Sequence, residues 1–181
     1  MKITVYIATS LDGFIARPDG DIDWLNNPDY VLENGDDMGY GALMQSIDAM
    51  VMGSSTFEKV LSFGIEWPYG ETTVIVLSSR DLEVPAEIKK TVRLMKGSPA
   101  EIVQSLMQDG INHIYLDGGK TVQNFLAAGL VSELIITKIP ILLGQGIPLF
   151  GPIPQDMHLT HMSTQSYPNG MVQSRYESDQ A

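Results

Sequence analysis

The chain contains no cysteine. That removes disulfides, thiolate nucleophiles, zinc–thiolate centres and cysteine-held clusters. Basic residues are scarce as well: 11 Lys and Arg stand against 22 Asp and Glu, a net charge of −11. A surface of that sign repels phosphate backbones, which argues against nucleic acid as the main partner. No uninterrupted apolar run reaches the ~18 residues that a membrane span requires. The most apolar stretch, 130–150, carries Glu133 and Lys138. The opening run Ile3 to Ala8 is short for a secretory leader and leads to Asp12 without a small-residue cleavage pattern. Repeats, linkers and low-complexity tracts are absent too. The expectation is a cytoplasmic protein that touches neither membrane nor nucleic acid.

What remains is an ordinary globular composition. The chain has 181 residues, 44% hydrophobic and 18% charged, enough for one domain with a full core. Ile3 to Ala8, Ala49 to Gly53, Thr73 to Leu77, His113 to Leu116 and Glu133 to Leu142 are short apolar runs, and read as buried strands. Helical patterns lie between them. Ser98-Pro99-Ala100-Glu101 is a capping box with Pro at the first helical position, followed by an apolar face of Ile102, Val103, Leu106 and Met107. Ser55 to Glu58 reads as a second capping box. Lys120 to Ala128 places Val122, Phe125 and Leu126 on one side, with Gly129 as the stop. This alternation predicts an α/β fold of three layers, with helices on both faces of a mostly parallel sheet. The end differs: Leu159 to Tyr167, the turn Pro168-Asn169-Gly170 and Met171 to Glu177 read as an antiparallel hairpin. Its polar strands suit a sheet edge or a subunit contact. Asp12 to Gly39 lacks periodicity, and an irregular stretch that long usually serves function.

Several motifs begin and then break. Asp19-Gly20-Asp21-Ile22-Asp23 opens like a calcium loop, but Trp24 stands where glycine is required and Tyr30 where glutamate is. Gly118-Gly119-Lys120-Thr121 ends like a triphosphate loop whose first glycine falls at Ile114. His158 and His161 would face opposite sides of a strand. Gly39-Tyr40-Gly41 and Gly144-Gln145-Gly146 lack the third glycine of the dinucleotide fingerprint. No metal site is expected.

Three strand ends survive this filter. Ligands of open α/β sheets bind outside the carboxyl ends of the strands. After Leu116 comes Asp117-Gly118-Gly119-Lys120-Thr121 and a helix, whose first N–H groups and dipole favour a phosphate. After Met52 comes Gly53-Ser54-Ser55-Thr56, a helix start with hydroxyls. After Leu77 comes Ser78-Ser79-Arg80, two hydroxyls beside a guanidinium. Each corner alone is also what a turn or a helix cap requires. Together, on successive parallel strands, they point to a dinucleotide.

These residues resemble the dihydrofolate reductase superfamily, in particular the branch containing the reductase domain of the riboflavin-biosynthesis deaminase–reductase. The likeness runs in order through Ile3 to Ala16 with its Ser10-Leu11-Asp12-Gly13 loop, Met52 to Glu58, Leu77 to Arg80, Leu116 to Val122, and Pro140 to Phe150. The resemblance implies a dihydrofolate reductase-like fold and an NADPH-dependent reductase, by family habit a homodimer. It implies pyrophosphate contacts from Gly118 and Gly119 with Lys120, Thr121 and Val122. It further implies phosphate and adenosine contacts from Gly53, Ser54, Ser55 and Thr56, adenosine contacts from Ser78, Ser79 and Arg80, and nicotinamide contacts from Ala8 and Ile15. Trp24 resembles a tryptophan of the mobile substrate loop, where Arg17 is the one base. Ser54 departs from the arginine that meets the 2′-phosphate in many relatives, which leaves Arg80 as a substitute.

A reductase of this type holds the nicotinamide against an electrophilic C=N or C=O carbon of a small molecule and helps deliver a proton. Asp12 and, by looser alignment, Asp29 are the candidate carboxylates; Asp12 is equally a turn residue. Between Ile3 and Glu58 lie ten acids, Glu33 among them, and one base, Arg17. A phosphoribosyl substrate would call for several bases. The acidic segment therefore favours a neutral or cationic substrate over the riboflavin precursor, 5-amino-6-(5-phosphoribosylamino)uracil. A ligand-binding relative without hydride transfer is the other alternative. Without cysteine the chain holds no deaminase zinc site.

Overall fold

The computed structural model describes residues 1–32 and 35–179, so Glu33 lies outside the described residues. The chain begins in the middle of its sheet with β1 (Lys2–Ser10), followed by the short β2 (Phe14–Ala16) and two single-turn helices at Asp23–Asn26 and Pro28–Tyr30. Next come α1 (Tyr40–Ser46), β3 (Ala49–Gly53), α2 (Ser54–Ser62), β4 (Thr73–Leu77) and β5 (Val92–Met95). The second half adds α3 (Pro99–Gln108), β6 (His113–Asp117), α4 (Gly119–Ala127), β7 (Glu133–Ile139), β8 (Ile147–Pro148), β9 (Leu159–Ser166) and β10 (Val172–Ser178).

Eight strands form one sheet in the order β5-β4-β3-β6-β1-β7-β10-β9, and β2 pairs with β8 apart from it. The strands from β5 to β7 are mutually parallel; β10 runs antiparallel to β7 and β9 antiparallel to β10. Successive residues of the central strands are buried on opposite faces. Val51 and Ile75 pack with Ile102, Leu106, Val122 and Phe125 of α3 and α4. Met50, Met52, Val74 and Val76 pack with Leu43 of α1 and Phe57 of α2. That is the expected three-layer dihydrofolate reductase-like arrangement with a C-terminal antiparallel pair. The chain grows outward from β1 to β5, then returns through β6 into the slot between β3 and β1, which opens a crevice at the strands' carboxyl ends.

The Ser98 capping box forms: the Glu101 carboxylate accepts the Ser98 N–H at 2.7 Å. The box expected from Ser55 to Glu58 does not. β3 passes straight into α2 through Gly53, with no side-chain cap, and Glu58 pairs instead with Arg80 at 2.6 Å. The final parallel strand stops at Ile139 rather than Leu142, because Pro140 has no N–H for the ladder. β9 is exposed along its whole length at the sheet edge, as its polar sequence implies. Among the described residues, no helix is long and apolar enough to cross a membrane.

Candidate active site

The three glycine and hydroxyl corners lie at the ends of β6, β3 and β4, which are neighbours in the sheet. Two of them interlock. Gly118 has φ +90 and ψ 141, a conformation closed to side-chain-bearing residues, and a Cβ there would collide with the Thr56 hydroxyl. A Cβ on Gly53 would lie 2.7 Å from Thr121 Oγ1. The starts of α2 and α4 thus meet with backbone and hydroxyls only. The first N–H groups of each helix have no intrahelical acceptor, so two positive helix ends converge on one spot. That is the requirement for holding a diphosphate.

The corners open on one cleft of about 830 Å³, near the top of the range for small-molecule and cofactor sites. Ala8, Ile15, Gly53, Ser54, Ser55, Thr56, Ser78, Ser79, Gly118, Gly119, Lys120 and Thr121 all line it. Val122 does not: it is fully buried on the core-facing side of α4. Nor does Arg80, whose guanidinium turns outward to Glu58. Lys96 is the cation that accompanies the serines in the cleft. The register pairs Leu77 with Met95, which sets Ser78 beside Lys96.

The residues expected to serve chemistry and substrate stand elsewhere. Asp12 Oδ1 accepts the Ser10 hydroxyl at 2.6 Å and the Leu143 N–H at 3.2 Å, while Oδ2 accepts the Gly144 N–H at 2.7 Å. The Ser10 hydroxyl, then these N–H groups, hold its carboxyl below the ordinary range. Asp12 ties the loop after β1 to the 143–144 turn, outside the cleft lining. Asp29 lies in an exposed turn, its N–H donated to Asn27 Oδ1 at 3.0 Å. Arg17 is bound to Asp23 through Nε at 2.5 Å and Nη2 at 3.1 Å, also outside the lining. Trp24 is 4% exposed and packs with Ile139, Tyr167 and Met171; it anchors its loop in a small core rather than facing the cleft. From that loop, Ile22 and Leu25 reach the cleft, and Asp21 bridges to Lys59 of α2 at 3.2 Å.

The remaining wall was not singled out from sequence. Tyr6, Tyr40 and Tyr115 form a ring cluster, with centroids 5.8, 6.4 and 6.5 Å apart, and Tyr69 completes that end of the cleft. The Tyr115 hydroxyl donates to the Tyr6 carbonyl at 2.9 Å, whereas the Tyr40 and Tyr69 hydroxyls make no hydrogen bond within the described residues. Asp117, the last residue of β6, stands among them. Burial pushes its carboxyl up to about 6, with the Gly118 N–H pulling the other way. Burial raises Tyr40, Tyr69 and Tyr115, and the nearby Asp117 charge adds to each. The available signal was Asp117 itself: it opens the Gly-Gly corner and reads as a turn residue until its neighbours are known.

The fold and cleft together define a dihydrofolate reductase-like domain with room for a dinucleotide at its strand ends. The chain belongs to the RibD C-terminal domain family, whose model matches residues 1–173. It is 32% identical over 166 residues to the uncharacterized protein YwjB of Bacillus subtilis (strain 168), covering 92% of each chain. A solved structure from Shewanella sp. PV-4, provisionally assigned to riboflavin biosynthesis, superposes with a TM-score of 0.92 at 41% identity, over 99% of both chains. A dihydrofolate reductase from Enterococcus faecalis, complexed with NADP(H), shares the fold at a TM-score of 0.66 and 18% identity, over 98% of this chain and 96% of that one.

Proposed function

We propose that the protein is an NADPH-dependent reductase that transfers hydride to a C=N or C=O carbon of a small heterocyclic or carbonyl compound. The observation that carries this reading is the convergence of the α2 and α4 N-termini on one cleft, with glycine where any Cβ would intrude. The dinucleotide supplies the hydride. Gly53, Gly118, Gly119 and the first N–H groups of the two helices bind its diphosphate, with Thr56 and Thr121 packed behind them. Ser54, Ser55, Ser78, Ser79 and Lys96 hold the adenosine half over β3 to β5. Ala8 and Ile15 bound the nicotinamide end, and Ile22 and Leu25 close it against water. Lys120 adds positive charge at the rim. Asp12, Arg17 and Trp24 shape and anchor the loops that form this wall.

Membership of the RibD C-terminal domain family favours a second reading, 5-amino-6-(5-phosphoribosylamino)uracil reductase. Against it stands the substrate end of the cleft, where Asp117 and tyrosines rather than bases form the wall. The exposed β9 edge supports a homodimer, and the cytoplasm is the compartment that fits NADPH chemistry. The test is a fluorescence titration of NADPH with the purified protein. Saturable quenching or a blue shift supports the reductase. No response to NADPH or NADH removes it. Saturable turnover of the riboflavin precursor with NADPH selects the second reading.

A further inference from the structure

The cleft has two electrical ends. Lys96 follows β5 and Lys120 sits on the first turn of α4, so these two cations serve the corners that take the phosphates, while Lys59 of α2 is paired with Asp21 at 3.2 Å. The half around Asp117 holds four tyrosines, and the base nearest to it along the chain is Lys120, across the Gly118-Gly119 corner. Asp117 forms no ion pair among the described residues, and burial and the Gly118 N–H are the influences on its carboxyl. Tyr40 from α1, Tyr69 from the 64–72 loop and Tyr115 from β6 line the cleft with it, and its charge adds to the burial that raises each phenol above the ordinary value. Behind them, Tyr6 donates to the Asp37 and Met38 carbonyls at 3.2 Å, and the Asp36 and Asp37 carboxylates add negative charge beside it. An isolated carboxylate among π systems is costly when empty and stabilised by an organic cation, through Coulomb attraction and the ring quadrupoles.

We propose that this half of the cleft is a receptor for an organic cation, which makes preformed iminium compounds, rather than phosphorylated carbonyls, the hydride acceptors of the enzyme. The inference rests on the reductase reading above and names its substrate class. The chemistry balances without a protein acid. The iminium carbon gains hydride, its new C–H bond forming as the dihydronicotinamide C–H bond breaks, and the C=N π pair moves to nitrogen. The dihydronicotinamide is oxidised, the iminium is reduced, and the product is a neutral amine. No proton is consumed, which agrees with Asp12 and Asp29 lying outside the cleft. Asp117 acts by holding the cation and favouring its charged form.

The test uses trimethylphenylammonium and its uncharged carbon isostere tert-butylbenzene, titrated into the wild-type protein by calorimetry with and without saturating NADPH. The proposal predicts about tenfold or greater preference for the cation, retained in the presence of NADPH and lost in Asp117→Asn. In the wild type the preference declines as the solution is acidified below pH about 6, where Asp117 takes up a proton. Circular dichroism checks that the variant is folded, and the wild-type comparison stands without it. Equal binding of the two probes overturns the cation receptor. Displacement of the cation by NADPH assigns the site to the coenzyme and overturns the substrate class. NADPH binding in either case leaves the reductase reading standing, and that reading falls separately if NADPH fails to bind.

Discussion

Asp117→Asn should make the protein more stable at neutral pH, although it alters the cleft. Burial lifts the Asp117 carboxyl from an ordinary aspartate value of 3.8 to about 6. In the unfolded chain the group ionises at the ordinary value, so between these two pH values the folded state holds a proton that the unfolded state has lost. The stability Asp117 contributes is therefore fully present below the ordinary value and is lost as pH rises through about 6. A rise of about two pH units corresponds to about 3 kcal/mol, an upper bound because the side chain is not fully enclosed. Asparagine has the same shape, keeps a carbonyl oxygen for the Gly118 N–H and carries no charge. Paired thermal or urea melts of wild type and variant should show no gap near pH 4, widening to about 2–3 kcal/mol by pH 7.5, equivalent to a shift of very roughly 4–10 °C. Asp21 and Glu133 are held below the ordinary range by their partners and weaken the fold as the solution is acidified. They do so in both proteins and cancel in the difference. A variant no more stable than wild type at pH 7.5 would refute the burial argument.

Other outcomes follow from the same geometry. Lys96→Ala should weaken NADPH binding about tenfold or more while changing NADH little, since a charge-assisted contact to the 2′-phosphate is lost; Arg80→Ala should affect neither, and titrations of both nucleotides decide between the two cations. Gly118→Ala should cost about 1–3 kcal/mol for the backbone conformation alone, seen in urea melts, and should also weaken NADPH binding by forcing Thr56 aside. Asp12→Ala should lower stability and leave the NADPH affinity near wild type. Its contribution is present above the unfolded value and lost as pH falls through the folded one, so the gap from wild type should close in acid.

The layers of the fold were legible because they rest on local pattern. Alternating buried faces, the Ser98 box and Pro140 each act within a few residues. α1 and β5 escaped because neither carries a strong period: α1 has seven residues with only Leu43 buried, and β5 is an edge strand with Arg93 and Leu94 exposed. The glycine and hydroxyl corners were legible for the same local reason. The side chains whose placement the local sequence does not reveal depend on contacts distant in sequence. Arg80 follows two serines, yet Glu58, 22 residues earlier, sets its direction. Asp117 looks like the start of a turn, and only the cleft it shares with Tyr40, Tyr69 and Tyr115 makes it a half-buried charge. Trp24 carries a loop signal, but Ile139, Tyr167 and Met171 decide which way it faces.

Joint seating of the coenzyme's diphosphate by the α2 and α4 N-termini, as proposed, can be read by solution NMR of amide-labelled protein titrated with NADPH. Saturable shifts are expected to concentrate at the backbone N–H groups of Ser54, Ser55, Thr56, Gly119, Lys120 and Thr121, with Ser78 and Lys96 following. Saturable binding that leaves these amides unmoved, or shifts confined to the β9 and β10 edge, would contradict it.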